Sequence, residues 1–83
     1  MAEYNGWANY ETWNVNLWLM NDEIAYRRMC GRVSIFVKPL SAGDARHIAE
    51  HALLNNKTPD GVRLDDPSID WQEIVASMLE CAE

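Results

Sequence analysis

Apolar residues recur at helical spacing in four segments of this 83-residue chain. Apolar side chains at positions i, i+3, i+4, i+7 and i+8 lie on one face of an α-helix. The clearest example is near the C-terminus, in Trp71, Ile74, Val75, Met78 and Leu79. A chain of this length has room for one domain with a thin core. We therefore predict an all-α fold, a small bundle of about four short helices with a tryptophan-rich core, as a single domain over residues 1–83.

Residues that cap helices mark where three of these helices begin. Asn9 stands just before the first apolar segment, where its side chain can accept a hydrogen bond from the first turn. Ser41 with Asp44, and Asp70 with Glu73, have the spacing of a capping box, in which the two residues bond to each other's backbone N–H groups. These signals predict helix starts after residues 9, 41 and 70.

The second helix is the one whose type the pattern leaves open. Ala25, Met29 and Val33 form a helical stripe after a start at Asn21 or Asp22. The run at residues 33–37 would serve equally well as a short strand, because it is rich in β-branched residues. We favour the helix, because a lone strand has no obvious pairing partner elsewhere in the chain.

The first helix is apolar nearly all round, after a lead-in at residues 1–8 that shows no period and is expected to be extended. Val15 and Leu19 lie on the side opposite the main stripe, and Trp13 and Trp18 suit the packing face. The main stripe comprises Tyr10, Trp13, Leu17 and Met20. Such a helix is either central to a fold or partly covered by a partner.

The net charge of −6 is unevenly distributed. Residues 1–23 hold four acids and no base, residues 24–57 carry a net charge of +4, and residues 58–83 carry −6. Nucleic-acid binding requires a net basic face, so direct contact with nucleic acid is disfavoured. A partner protein with a basic surface is favoured by electrostatic complementarity. A solvated face that only keeps the protein soluble is the alternative for these acids.

No pattern in the chain predicts catalysis, a cofactor or a metal site. His47 and His51 complete an H-x-x-E-H sequence, which is typical of a class of zinc proteases. A catalytic zinc also needs a third ligand and a cleft, so we expect both histidines on the solvent side of the third helix. The aspartates of residues 60–70 lack the ligand order of an EF-hand calcium loop. We therefore predict a protein that is not an enzyme.

The cysteines and the lengths of the apolar segments indicate where in the cell the protein is found. Cys30 and Cys81 have neither a metal-binding spacing nor the pattern of a disulfide framework, so we expect two reduced thiols. The longest apolar stretches fall far short of the roughly 20 residues that span a bilayer. A basic segment followed by an apolar one, as in a signal peptide, is not found at the start. These features predict a cytoplasmic protein that does not contact a membrane.

The segment Asn-Tyr-Glu-Thr-Trp-Asn at residues 9–14, which continues to Glu23, resembles the opening signature of a family of short proteins of unknown function. Members are encoded largely by bacteriophages, plasmids and prokaryotes. Residues 60–71 resemble the closing region of these proteins, whereas residues 24–57 show no clear match. The resemblance implies a small helical intracellular protein, often virus-borne, and it carries no established reaction. Within the signature, we expect Thr12 and Asn14 to bond to local backbone or to the lead-in.

Charge and this resemblance together give a functional hypothesis. Small acidic phage proteins often inhibit host defence by occupying a basic nucleic-acid-binding surface, and we expect this chain to act in that way on a CRISPR effector or another nuclease. In a phage-encoded protein, the site of action would be the host cytoplasm. The predicted partner-binding residues are Asp60, Asp65, Asp66, Asp70, Glu73, Glu11, Asp22 and Glu23.

Two alternatives remain open at this stage. The first is a regulatory adaptor that docks on a host enzyme through the apolar first helix, with Trp18 or Leu19 in the contact. The second is a small DNA-binding module that uses the basic 27–46 segment. Its candidate residues are Arg27, Arg28, Arg32 and Arg46. The sequence does not determine the oligomeric state.

Overall fold

The structure, a computed structural model, describes residues 4–36 and 39–80. Within these ranges the chain forms four α-helices: α1 (Tyr10–Asn21), α2 (Glu23–Ser34), α3 (Ala42–Leu53) and α4 (Trp71–Leu79). Helix α3 packs most extensively against α2 and α4, and α1 closes the bundle against α2 and α4. The prediction of a small all-α bundle is confirmed.

The predicted helix starts are confirmed by the side chains that cap them. The side chain of Asn9 accepts a hydrogen bond from the first turn of α1, and Ser41 and Asp44 form both bonds of a capping box at α3. Asp22 ends α1 and also caps α2 by accepting from the N–H groups of its first turn. Because one residue performs both functions, α1 and α2 meet at a sharp corner.

The capping box predicted for α4 forms only in part. Asp70 caps the helix by accepting from the backbone N–H of Gln72 and Glu73. The Glu73 carboxylate does not return to Asp70; it accepts a hydrogen bond from the backbone N–H of Ala8 at 2.9 Å. The N–H of Asp70 donates instead to Oγ1 of Thr12 at 2.8 Å. The reciprocal bond was therefore wrongly predicted, because a residue distant in sequence accepts from the N–H that Glu73 would have bonded.

The core is aliphatic and methionine-rich, and the prediction of a tryptophan-rich core is wrong. All four tryptophans are only half-buried, at positions around the core. The indole N–H needs a polar partner when it is buried, which favours the edge of a thin core over its centre. The largest completely buried apolar side chains are those of Leu19, Met29, Leu64, Ile74 and Met78.

Helix α1 presents to the core the face opposite to the one we predicted. Val15 and Leu19 are completely buried, whereas Trp13 and Trp18 are half-buried and Tyr10 is exposed. The rings of Tyr4, Tyr10 and Trp13 pack against one another at centroid distances of 4.8–5.7 Å. The smaller aliphatic side chains fill the interior, and the aromatic residues form a cluster at its edge.

Two connecting segments also bear on the predictions. The lead-in is not simply extended: Tyr4 and Trp7 exchange backbone hydrogen bonds across a tight turn whose central residues, Asn5 and Gly6, have positive φ. An Asn-Gly pair is a strong signal for this kind of turn. Residues 58–61, in the sequence Thr-Pro-Asp-Gly, form a turn that is closed by a hydrogen bond from the N–H of Gly61 to the carbonyl of Thr58.

The short strand considered at residues 33–37 does not form in the part that the structure describes. Val33 and Ser34 are the last residues of α2, and Ile35 and Phe36 continue into a turn and a loop. Val33 is buried against the other helices, and this packing favours the helical alternative. Val37 lies outside the described residues.

Cys30 on α2 is disulfide-bonded, which contradicts the prediction of two reduced thiols. The spacing of the two cysteines in sequence gave no indication of this bond, and Cys81 lies outside the described residues. Among the described residues, none of the helices is long and apolar enough to cross a membrane.

Candidate functional site

Asn14 lies at the centre of a hydrogen-bonded cluster between α1 and the turn at residues 58–61. Its Nδ2 donates to Oδ2 of Asp60 at 2.8 Å, and its Oδ1 accepts from the hydroxyl of Thr58 at 2.7 Å. Asn14 and Thr58 are buried, and the Thr58 hydroxyl also accepts from the N–H of Val62. The amide therefore fixes the turn against α1 with both ends of its side chain.

Asp60 receives a second hydrogen bond from α1. The indole N–H of Trp18 donates to the same carboxylate oxygen at 3.0 Å. The hydrogen bonds from Asn14 and then from Trp18 hold the pKa of Asp60 below its ordinary value, because both stabilise the ionised carboxylate. The charge of Asp60 thus contributes to the attachment of the turn to α1.

A second set of contacts joins the start of α1 to the start of α4. The side chain of Asn9 donates to the carbonyl of Ser68 at 2.6 Å, and the hydroxyl of Thr12 accepts from Asp70 and donates to Asn9. With the bond between Ala8 and Glu73, the two helix starts lie side by side. Thr12 bonds to Asn9 near the lead-in, as expected, but both Thr12 and Asn14 also bind the 58–73 segment, which the sequence did not predict.

These contacts join the two parts of the chain that carry the family resemblance. The polar residues of the 9–14 signature bind the loop and helix start at residues 58–73. We call this set of hydrogen bonds the α1–loop clamp; it is formed by Asn9, Thr12, Asn14 and Trp18 with Thr58, Asp60, Ser68 and Asp70. The polar side chains of residues 9–14 therefore have partners within the fold of this chain.

Asp65 and Asp66 lie on the outer side of the same loop. The carboxylate of Asp65 forms two hydrogen bonds of 3.0 Å with the guanidinium of Arg63. This contact lowers the pKa of Asp65 and raises that of Arg63. Oδ1 of Asp66 accepts from the backbone N–H of Ser68 at 2.8 Å. Both carboxylates are held at defined positions on the outer side of the molecule.

The remaining predicted partner-binding residues lie at the ends of helices. Glu11 is in the first turn of α1, close to the helix start formed by Asp70 and Glu73. Asp22 and Glu23 are at the corner between α1 and α2, where Glu23 pairs with Arg27 at 2.8 Å. The eight residues thus do not form one continuous cluster.

His47 and His51 lie on the solvent side of α3, as predicted. Nδ1 of His47 is 3.8 Å from a carboxylate oxygen of Glu50, and Nδ1 of His51 is 3.2 Å from the guanidinium of Arg32. Among the described residues, no group of three His, Cys, Asp or Glu side chains is placed to hold a metal ion.

The structure also places the residues of the two alternatives. Leu19 is completely buried in the core of its own chain, so it is not available for docking on a partner. The arginines of the 27–46 segment each have an intramolecular partner. Arg27 pairs with Glu23, Arg28 with the carbonyl of Ala52, Arg32 with His51, and Arg46 with Glu50.

Comparison with curated proteins and with solved structures finds no match. Comparison with protein families does find one, and it covers residues 1–83. The chain therefore belongs to DUF7249, a family of unknown function.

Proposed function

We propose that this protein is a non-catalytic binding module whose acidic surface occupies a basic surface on another protein. The binding surface is centred on Asp65 and Asp66, with the acids of the α4 start beside it. The single observation that carries the proposal is the α1–loop clamp, which fixes the backbone that bears these carboxylates. A fixed array of charges loses little conformational entropy when it binds.

The structure narrows the set of residues to which we assign binding. Asp60 attaches the 58–61 turn to α1, and Asp22 and Asp70 cap the starts of α2 and α4, so replacing any of the three would disturb the protein's own structure. Asp65 and Asp66 lie outside the clamp, and the side chain of Asp65 is about half exposed. We therefore propose that Asp65 and Asp66 contribute most to the contact, with Glu73 and Glu11 at its edges. Glu23 lies at the corner of α1 and α2, pairs with Arg27, and is left out of this surface.

The target we propose is a nucleic-acid-processing protein, in particular a CRISPR effector or another defence nuclease. Such proteins bind phosphates with basic surfaces, and a fixed set of carboxylates can compete for the same charges. The support for this class is the charge of residues 58–83 and the resemblance of the signature to short phage and plasmid proteins. In this proposal the chain is bacteriophage-encoded and acts as an inhibitor.

The test begins by identifying the target. The tagged full-length chain retains host proteins from a lysate at low salt, and mass spectrometry identifies them. A retained nuclease is then purified, and its affinity for the chain is measured at increasing salt together with its cleavage of DNA. We expect binding that weakens with salt and a stoichiometric loss of cleavage.

Two variants that each remove two negative charges distinguish an effect of the Asp65 and Asp66 surface from an effect of the overall net charge. Asp65→Asn with Asp66→Asn removes two charges. Each asparagine keeps one acceptor oxygen, so the bond from Ser68 to residue 66 can be retained, while one of the two bonds from Arg63 to residue 65 is lost. Glu50→Gln with Glu80→Gln removes two charges elsewhere. We expect the first variant to weaken binding about tenfold and the second to change it less than about threefold. Equal affinities for the two variants, or binding that is insensitive to salt, would exclude the electrostatic contact.

The proposed site of action is the cytoplasm, and this proposal can be tested through the oxidation state of Cys30. Structural disulfides are rare in that compartment, whereas Cys30 is disulfide-bonded in the structure. Alkylation of thiols in intact cells before lysis measures the oxidation state of Cys30. A fully oxidised Cys30 in every cell examined would contradict a cytoplasmic location.

A further inference from the structure

A groove lies between the corner of α1 and α2 and the C-terminal end of α3, away from Asp65 and Asp66. Its volume is about 330 Å³, which is at the low end for ligand sites in proteins. Trp18, Ile24, Leu53 and Pro59 form its apolar walls. We call it the α2–α3 groove. Its size suits one or two side chains of a partner.

The apolar side chains that line this groove are partly open to solvent. Ile24 is 60% exposed, and Trp18 and Leu53 beside it are only half-buried. The indole N–H of Trp18 is bonded to Asp60, so the polar atom of that ring is already satisfied. Covering these side chains would remove apolar surface from water, which favours binding.

The charges at the groove distinguish it from the rest of this acidic molecule. Arg28 and Lys57 both line it, and neither has a carboxylate partner among the described residues. Arg28 makes only a 3.4 Å contact with the carbonyl of Ala52. The carboxylate of Asp22 also lines the groove, but it accepts hydrogen bonds from the N–H groups that begin α2. The groove therefore presents two cations and one carboxylate, and neither cation is in an ion pair with any residue that the structure describes.

We propose that the α2–α3 groove binds a short acidic segment of a partner protein. An aliphatic or aromatic residue of that segment packs between Trp18, Ile24 and Leu53, and flanking carboxylates pair with Arg28 and Lys57. Charge complementarity selects this occupant, because an uncompensated cation at an interface favours an acidic partner. A long nucleic acid is disfavoured by the net charge of −6, whereas a peptide with two or three carboxylates meets less repulsion.

The test uses a display library of random dodecapeptides against the immobilised full-length chain at low salt. We expect enrichment of peptides that carry at least two acids beside one large apolar residue. Fluorescence anisotropy then gives the affinity of the enriched peptides for four proteins of unchanged circular dichroism. These are the unmodified chain, Ile24→Ser, Arg28→Gln with Lys57→Gln, and the charge-matched control Arg27→Gln with Arg46→Gln.

We expect the Arg28/Lys57 variant to lose about tenfold in affinity and the control less than about twofold. Ile24→Ser should also weaken binding several-fold, because its side chain contacts the apolar anchor. Equal binding by the Arg28/Lys57 variant and the control would overturn the proposal, as would a lack of enrichment or enrichment of basic or uncharged peptides. Asp65→Asn with Asp66→Asn should leave peptide binding unchanged, so this result is independent of the function proposed above.

Discussion

Asn14 is a polar residue that stabilises the fold through buried hydrogen bonds. A buried amide has to satisfy a donor and an acceptor, and the oxygen and nitrogen of Asn14 do so with Thr58 and Asp60. Its position in α1 looks from sequence alone like one more polar residue in an apolar helix. Because its partners are more than 40 residues away, only the tertiary structure reveals its contribution.

Replacing Asn14 with alanine should lower the free energy of unfolding by about 2–4 kcal/mol. The substitution leaves the buried Thr58 hydroxyl without its acceptor and deprives the Asp60 carboxylate of a donor. Asn21→Ala is the matched control, because Asn21 is exposed and its side chain binds only the carbonyl of Leu17. Urea unfolding of both variants measures the difference. Similar losses for the two would contradict a special contribution from Asn14.

Asp60 should make stability depend on pH in the acid range. Its pKa in the folded state lies below its ordinary value, because Asn14 and Trp18 donate to its ionised form. Its contribution to stability is therefore present above the pKa of the unfolded chain and is lost as pH falls through the folded-state pKa. Asp65 has a lowered pKa for the same kind of reason, with Arg63 as its donor.

The measurement compares urea unfolding at a series of pH values below about pH 5 for the unmodified chain and Asp60→Asn. The stability of the unmodified chain should fall more steeply over that interval, because the variant has no carboxylate at this position to protonate. Glu80→Gln, which removes an exposed carboxylate directly after α4, should keep the steep fall. A variant profile parallel to that of the unmodified chain would mean that Asp60 is not linked to folding.

Helix α2 and the 58–61 turn each contain a glycine, and the two glycines differ in backbone conformation: one is helical and the other has a positive φ. Gly31 lies within α2, whereas Gly61 closes the turn with a φ of +95°. No atom lies within 4 Å of a Cβ added at either position. A substitution by alanine at either site therefore tests backbone conformation without a steric clash.

Gly31→Ala should raise the free energy of unfolding by about 0.5–1 kcal/mol, because alanine loses less conformational freedom in a helix. Gly61→Ala should lower it by about 1 kcal/mol or more, because residues with a Cβ rarely adopt that φ. Thermal and urea unfolding of the two variants check the signs. Changes of the same sign would contradict the difference in backbone conformation between the two sites.

The sequence predicts those features of the helices that depend on residues close to one another in the chain. Asn9, Ser41 and Asp70 act on N–H groups within three residues, so the helix starts follow from local pattern. The bond from Asp70 to Thr12 spans 58 residues, and no local pattern encodes it. The sequence therefore predicted which acidic residues form the candidate site. Only the structure shows that Asp60 and Asp70 belong to the α1–loop clamp and that Asp65 and Asp66 do not.

At the scale of the whole molecule, the core is continuous across the helices and the loop that precedes α4. Leu19 of α1, Met29 of α2, Ile48 of α3 and Ile74 of α4 belong to one buried cluster, and Leu64 of the loop completes it. The clamp adds polar links between the beginning and the end of the described chain. Because all four helices contribute to one core, no subset of them can remain packed when the others unfold.

We therefore expect the chain to unfold in a single cooperative transition. Far-UV circular dichroism follows the four helices, and tryptophan fluorescence follows residues on α1, α4 and the lead-in, so the two signals report different parts of the bundle. Their urea transitions should coincide for the unmodified chain. Asn14→Ala should move both to lower urea by the same amount, because a clamp between distant segments stabilises the whole fold. A fluorescence transition that precedes the circular dichroism transition would show that α1 and the loop separate from the bundle before α2 and α3 unfold.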